Sequence, residues 1–163
     1  MYTHCFLFWE TNKNYKQMKT RYTLTLMIFM LFMLSACSKG PQAIDYGNDG
    51  CHFCKMTVVD KIHGAELITD KGKVFKFDAT ECMLNYMGEH TELPIGSLLT
   101  NYYEEPTAFI PTQEATFLIS EQLPSPMGAN LTAFKTKESA EKVLSEKGGK
   151  LYTWEALKIH LNQ

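Results

Sequence analysis

The chain has 163 residues and no apolar run long enough to cross a bilayer as a helix. Its longest, Leu24 to Leu34, is broken by Thr25 and falls well short of the roughly 20 residues such a helix needs. Cysteine is scarce and odd in number, at five. After residue 36 there is one Cys-x-x-Cys, Cys51–Cys54, with no second one and no histidine pair at metal-ligand spacing. That argues against an ordinary four-ligand structural zinc site, for which the pair would be only half. No stripe of basic residues exists: 16 Lys and Arg face 18 Asp and Glu. Nucleic-acid binding needs clustered cations against phosphate, so it is excluded as a function. The chain also lacks a phosphate-binding glycine loop and a Ser-His-Asp arrangement. Gly148-Gly149 reads as a helix stop, and the chain reads as a binding protein, not an enzyme.

What is present begins at the front. Lys16, Lys19 and Arg21 precede the apolar run, and Leu34-Ser35-Ala36-Cys37 follows it. Basic segment, short apolar segment and small residues in that order make a secretory signal. A cysteine directly after Leu-Ser-Ala resembles a bacterial lipobox, which makes Cys37 a lipidation site and a membrane anchor. Residues 1–36 are then signal peptide, with Met18 a better start than Met1. Residues 37–50, with Gly40, Pro41, Gly47 and Gly50, have the composition of a tether. Residues 51–163 form the domain.

Within it, hydrophobic patterning and turn chemistry predict an α+β fold. Strands are expected at 63–69 and 74–77 around the turn Asp70-Lys71-Gly72-Lys73. A helix over 81–87 follows, capped by Asp78 or Thr80 and ended by Gly88. Pro94, Gly96, Pro106 and Pro111 make 88–113 mostly loop, with one strand near 97–103. Strands at 114–120 and 131–134, a helix over 137–147 capped by Thr136, a strand at 150–152 and a helix over 154–161 complete the pattern. Two small, similar strand–strand–helix halves are expected, since strict parallel α/β alternation is absent.

The chemistry concentrates in Cys51-His52-Phe53-Cys54-Lys55-Met56. Two thiolates and a thioether suit Cu(I), a soft ion that prefers sulfur donors. Cys54 and Met56 fall on one side if the chain is extended there, with Cys51 across the tight turn. Met127, in a loop rich in proline and glycine, is a further ligand candidate. Met83 and His52 remain behind it, as does His63. Cys82 and Met83 are neighbours on a helix, so only one of them faces any given site. The rival reading is an envelope thiol-disulfide oxidoreductase, or a thiol-based lyase, using the Cys-x-x-Cys pair.

Residues 45–56, 73–84 (Lys-Val-Phe-Lys-Phe-Asp-Ala-Thr-Glu-Cys-Met-Leu) and 125–129 (Ser-Pro-Met-Gly-Ala) together resemble the NosL family of copper-chaperone lipoproteins. The resemblance implies a periplasm-facing protein in the cell envelope that holds one Cu(I). It implies delivery, through an ABC-type copper-handling membrane complex, to the copper centres of nitrous-oxide reductase. It also implies a two-part α+β fold distantly similar to organomercurial lyase, with Cys54 and Met56 as carried-over ligands. Some relatives have a further methionine after the first helix. Residues 97–104 have none, which leaves Met83, Met127 or a histidine to complete the site.

Overall fold

In a computed structural model of the chain, residues 40–161 are described. The signal segment and Cys37 lie outside them. Among the described residues no helix is long and apolar enough to cross a membrane.

Strands β1 (Ala65–Thr69) and β2 (Val74–Phe77) form the expected hairpin. Gly72 takes φ +84° in its turn, and its N–H donates to Thr69 O at 2.8 Å. Ala65 pairs with Phe77 and Leu67 with Phe75, so four apolar side chains share one face. Helix α1 (Thr80–Glu89) covers that face, its Tyr86 ring 5.2 Å from Phe75 and 5.3 Å from Phe77. Its start and end differ from expectation. Ala79 occupies the N-cap, and no side chain caps it. Asp78 and Thr80 are buried and committed elsewhere: Asp78 takes the Val59 N–H, and Thr80 Oγ1 meets Thr100 Oγ1 at 2.8 Å. The helix runs through Gly88 because His90 closes it, stacked on Tyr86 with Nδ1–H donating to Tyr86 O at 3.0 Å.

Strands β3 (Ile95–Tyr102) and β4 (Glu105–Pro111) extend the sheet in the order β2-β1-β3-β4, antiparallel throughout. β4 replaces most of the loop expected there. Its prolines are compatible with a strand because β4 is an edge, where a missing N–H breaks no ladder on the open side. A second sheet, β6-β5-β7, holds β5 (Thr116–Ile119), β6 (Leu131–Phe134) and β7 (Lys150–Tyr152), with helices α2 (Lys137–Lys147) and α3 (Trp154–Leu161). Thr136 caps α2 as expected, accepting the Ser139 N–H at 3.2 Å. Gly149 takes φ +113°, and a Cβ there would lie 2.2 Å from Ile119 O, so only glycine joins α2 to β7 this closely.

The α+β expectation therefore holds, with each half built on its own antiparallel sheet. The halves share one core, in which Leu67, Phe77 and Met83 of the first half join Phe117, Leu131 and Trp154 of the second. The tether boundary moves. Ile44 is buried, the Gln42 N–H donates to Glu66 Oε2 at 3.2 Å, and Tyr46 O–H donates to Asn101 Oδ1 at 2.7 Å. Residues 42–50 thus belong to the folded domain despite their polar composition, because their hydrogen bonds are spent on the sheet.

Glu66 sits beneath that segment, fully buried on the face of β1 opposite Leu67. Burial raises its pKa from 4.5 to about 7, against smaller lowering by the Gln42 N–H and Lys76. An acid with a raised folded pKa makes the folded state bind more protons than the unfolded one. Stability therefore falls as pH rises through the window from 4.5 to about 7. Glu66→Gln keeps an oxygen for the Gln42 N–H and removes the charge. It is expected to flatten this slope and to raise stability above neutral pH by roughly 1–3 kcal/mol, read from urea melts at several pH values.

Candidate metal centre

The segment before β1 doubles back on itself. Gly47 N–H donates to Val58 O at 2.8 Å, Gly50 bridges Thr57, and Cys51 N–H donates to Met56 O at 2.8 Å. Inside this hairpin, Lys55 N–H donates to Cys51 O at 3.1 Å, and Lys55 takes φ +67°. Its ammonium reaches His52 O at 2.6 Å. Cys-x-x-Cys is thus a knuckle that gathers both thiols on one short turn. The left-handed residue also corrects the expected geometry. The chain is not extended over 54–56, so strand alternation does not place Met56 beside Cys54. Met56 is 47% exposed.

His52 fastens the knuckle to the sheet. Its N–H donates to Lys76 O at 2.9 Å, and its Nδ1 accepts the Lys76 N–H at 3.1 Å. The ring lies edge-on to Phe75 at 5.2 Å. The open edge of β2 is closed by this residue instead of another strand. With Nδ1 engaged, only Nε2 is left to face a ligand.

The third member comes from α1. Cys82 lies in its first turn, and the sulfurs of Cys51, Cys54 and Cys82 all fall within 4.8 Å of one another. All three are free thiols. Cys51 and Cys82 are buried, while Cys54 is partly open. A trigonal ion with metal–sulfur bonds of about 2.3 Å puts sulfurs about 4 Å apart, so modest contraction closes the site. Electrostatics already favour a charge there. The Cys82 thiol donates to Cys51, and the backbone N–H groups of Asp78, Cys54 and Phe53 point at the same sulfur. Together they hold the Cys51 thiol down at about 4 in spite of burial. Cys82, as the donor to Cys51, is pushed well up, and burial raises Cys54. Without metal the cluster is one buried thiolate and two thiols.

The remaining candidates are dispersed. Met83 is fully buried within the apolar core. His63 is buried with Nδ1 3.0 Å from Asp60 Oδ1 and Nε2 3.0 Å from Thr132 Oγ1, which ties the first half to β6. Met127 is 37% exposed in the loop that follows β5. Of the adjacent pair on α1, Cys82 is the one that joins the cluster. The sequence carried a signal for this: a cysteine in a first helical turn sits where N–H groups and the helix dipole favour a thiolate.

A family model described as NosL matches residues 42–161. Among solved structures, the chain is similar to the crystal structure of the copper chaperone NosL from Shewanella denitrificans, at 26% identity and a TM-score of 0.62. That similarity covers 73% of this chain and 96% of the other. No significant match was found among curated proteins.

Proposed function

This chain belongs to the NosL family, and on that premise we propose that it carries a single Cu(I) on the sulfurs of Cys51, Cys54 and Cys82. The observation that supports this most directly is the convergence of three free thiols, two buried and one partly open. Soft sulfur donors in low number suit Cu(I). Among the described residues the group has no fourth His, Cys or carboxylate, and three thiols alone do not make the closed tetrahedral site that structural zinc requires.

The site is graded for delivery. Cys51 and Cys82 anchor the ion from inside, and Cys54 is the partly open member of the three. An incoming partner sulfur adds to copper on that side before Cys54 leaves. The recipient we infer is the copper machinery of nitrous-oxide reductase, reached through an ABC-type membrane complex. The lipobox-like Leu34-Ser35-Ala36-Cys37 supports export and a lipid on Cys37, which would hold the domain at the periplasmic face of the envelope.

A thiol-disulfide oxidoreductase needs its accessible cysteine to be the thiolate. Here the order is reversed: the thiolate Cys51 is 1% exposed, and the more open Cys54 is the one raised. Anaerobic Cu(I) titration of the reduced protein, with X-ray absorption of the loaded form, tests the reading. One equivalent surrounded by three sulfurs is expected. Fewer than two sulfurs around the metal would sink it.

A further inference from the structure

Residues 42–46 lie on the first sheet as a strap, and most of what fastens them is polar. The Gln42 N–H donates to Glu66 Oε2 at 3.2 Å, the Ala43 carbonyl accepts the Lys76 ammonium at 2.7 Å, and the Tyr46 hydroxyl donates to Asn101 Oδ1 at 2.7 Å. The apolar anchor is Ile44, and it fits because residue 64 is glycine. A Cβ there would lie 2.9 Å from Ile44 Cδ1 and 2.5 Å from Asn101 Oδ1. The strap closes over a carboxyl. Glu66 is 0% exposed, and among the described residues its Oε1 has no hydrogen-bond partner. A buried carboxylate partnered so poorly is costly, so the closed strap holds Glu66 as the neutral acid.

Lys76 links the two. Glu66 and Lys76 stand directly opposite in the β1–β2 ladder, so both side chains lie on the strap's face of the sheet. The ammonium is spent on Ala43 O and, at 2.6 Å, on Asp49 Oδ2. A charged Glu66 competes for it. The other titratable groups facing Glu66 are Asp49 and Tyr46. Asp49 opposes a charge on Glu66, and Tyr46 keeps its proton, its pKa pushed by burial to about 12. On the β3 side the paired residue is Leu99, which does not titrate.

We propose that Glu66 and Lys76 form a latch: while Glu66 is neutral the strap lies on the sheet, and when Glu66 gives its proton to water the ammonium turns to the carboxylate and residues 42–45 lift off. The copper hairpin stays in place. Its Gly47–Val58 and Gly50–Thr57 pairings, and the backbone bonds of Lys76 to His52, lie downstream of the lifted residues. Four freed residues give about 13 Å of added chain at full extension. On the reading that Cys37 is lipidated, this is added reach between membrane and copper site. The sign follows from burial, which holds the Glu66 pKa at about 7 with the strap closed, against 4.5 in water. The closed form binds more protons, so closure is fully favoured below pH 4.5 and is lost as pH rises through about 7. Between about pH 5.5 and 8 the closure constant falls about 30-fold.

Amide hydrogen exchange at Gln42, in the full reduced chain without copper, tests the latch. Corrected for the intrinsic pH dependence of exchange, its protection is expected to fall about 30-fold from about pH 5.5 to 8. The fall should be insensitive to urea below unfolding, as a local opening is. Glu66→Gln, which keeps an oxygen for the Gln42 N–H, abolishes the fall. Lys76→Met loosens the strap at both pH values and keeps the fall, because the buried acid remains. Equal protection at both pH values overturns the proposal, as does a fall that persists in Glu66→Gln or that appears only in urea-sensitive global exchange. Unchanged protection in Lys76→Met overturns the part given to its ammonium. The measurement uses neither copper nor lipid, so its failure and the failure of those readings are separate outcomes.

Discussion

Replacing Cys82 by serine is expected to weaken Cu(I) binding at least about 100-fold, a loss of roughly 2.7 kcal/mol. The change is nearly isosteric. The serine hydroxyl still donates to the Cys51 sulfur from the position where the Cys82 thiol donates now, so Cys51 stays a thiolate and the first turn of α1 keeps its packing. What changes is the donor. A hard alcohol oxygen is a poor ligand for a soft ion, and the site drops from three sulfurs to two. The loss should exceed the roughly 10–100-fold attached to residues that only support a ligand. Met83→Leu is the control. Its side chain lies in the apolar core beside Phe77 and Leu67, so a volume-conserving swap costs little stability and leaves copper affinity unchanged. Competition against a Cu(I) chelator measures both. Equal affinities for Cys82→Ser and the unsubstituted protein would remove Cys82 from the site.

Cys82 also marks where reading the chain as a string loses information. The knuckle was legible because Cys51, Cys54 and Met56 lie within six residues, and local spacing alone brings two sulfurs together. Cys82 is brought in by tertiary packing of α1 on β1 and β2, through Tyr86, Phe75 and Phe77. Its place in a first helical turn hints at a thiolate, but local spacing does not report which sulfurs it meets. The same division holds for the fold. The helix over 137–147 and the strand over 131–134 were readable because cap, periodicity and turn residues agree there. β4 was not, since a proline says what a residue cannot donate and nothing about whether its strand is an edge. Residues 42–50 look like linker because their composition is polar. They fold because Glu66, Lys76 and Asn101 supply partners from the sheet. Lys55 is the smallest example: one left-handed residue undoes the alternation argument for Met56.

Loading the site with Cu(I) near neutral pH is expected to release about two protons per metal, because thiols must deprotonate to bind. The count follows from the resting charge of the cluster. Cys51 is already ionised, held near 4 by the Cys82 thiol and three backbone N–H groups. Cys54 and Cys82 are both raised and carry their protons. Forming three copper–thiolate bonds then displaces one proton from each of those two. The sign is fixed by mass action: affinity strengthens as pH rises, with a slope of about two log units per pH unit between about pH 6 and 8. The slope steepens to about three only below the Cys51 pKa of about 4, where that sulfur must also lose a proton. A two-thiolate site completed by a methionine thioether gives a slope of about one, since a thioether has no proton to lose. The slope therefore counts thiolates independently of any spectrum. In Cys82→Ser it should fall from about two to about one, because the serine hydroxyl keeps its proton. A slope that stays at two in that variant means another residue replaces the lost thiol, and a slope of one in the unsubstituted protein means Cys82 never binds. The buried thiolate sets the count: with Cys51 ionised beforehand, a three-thiolate site releases one proton fewer than the number of sulfurs it uses.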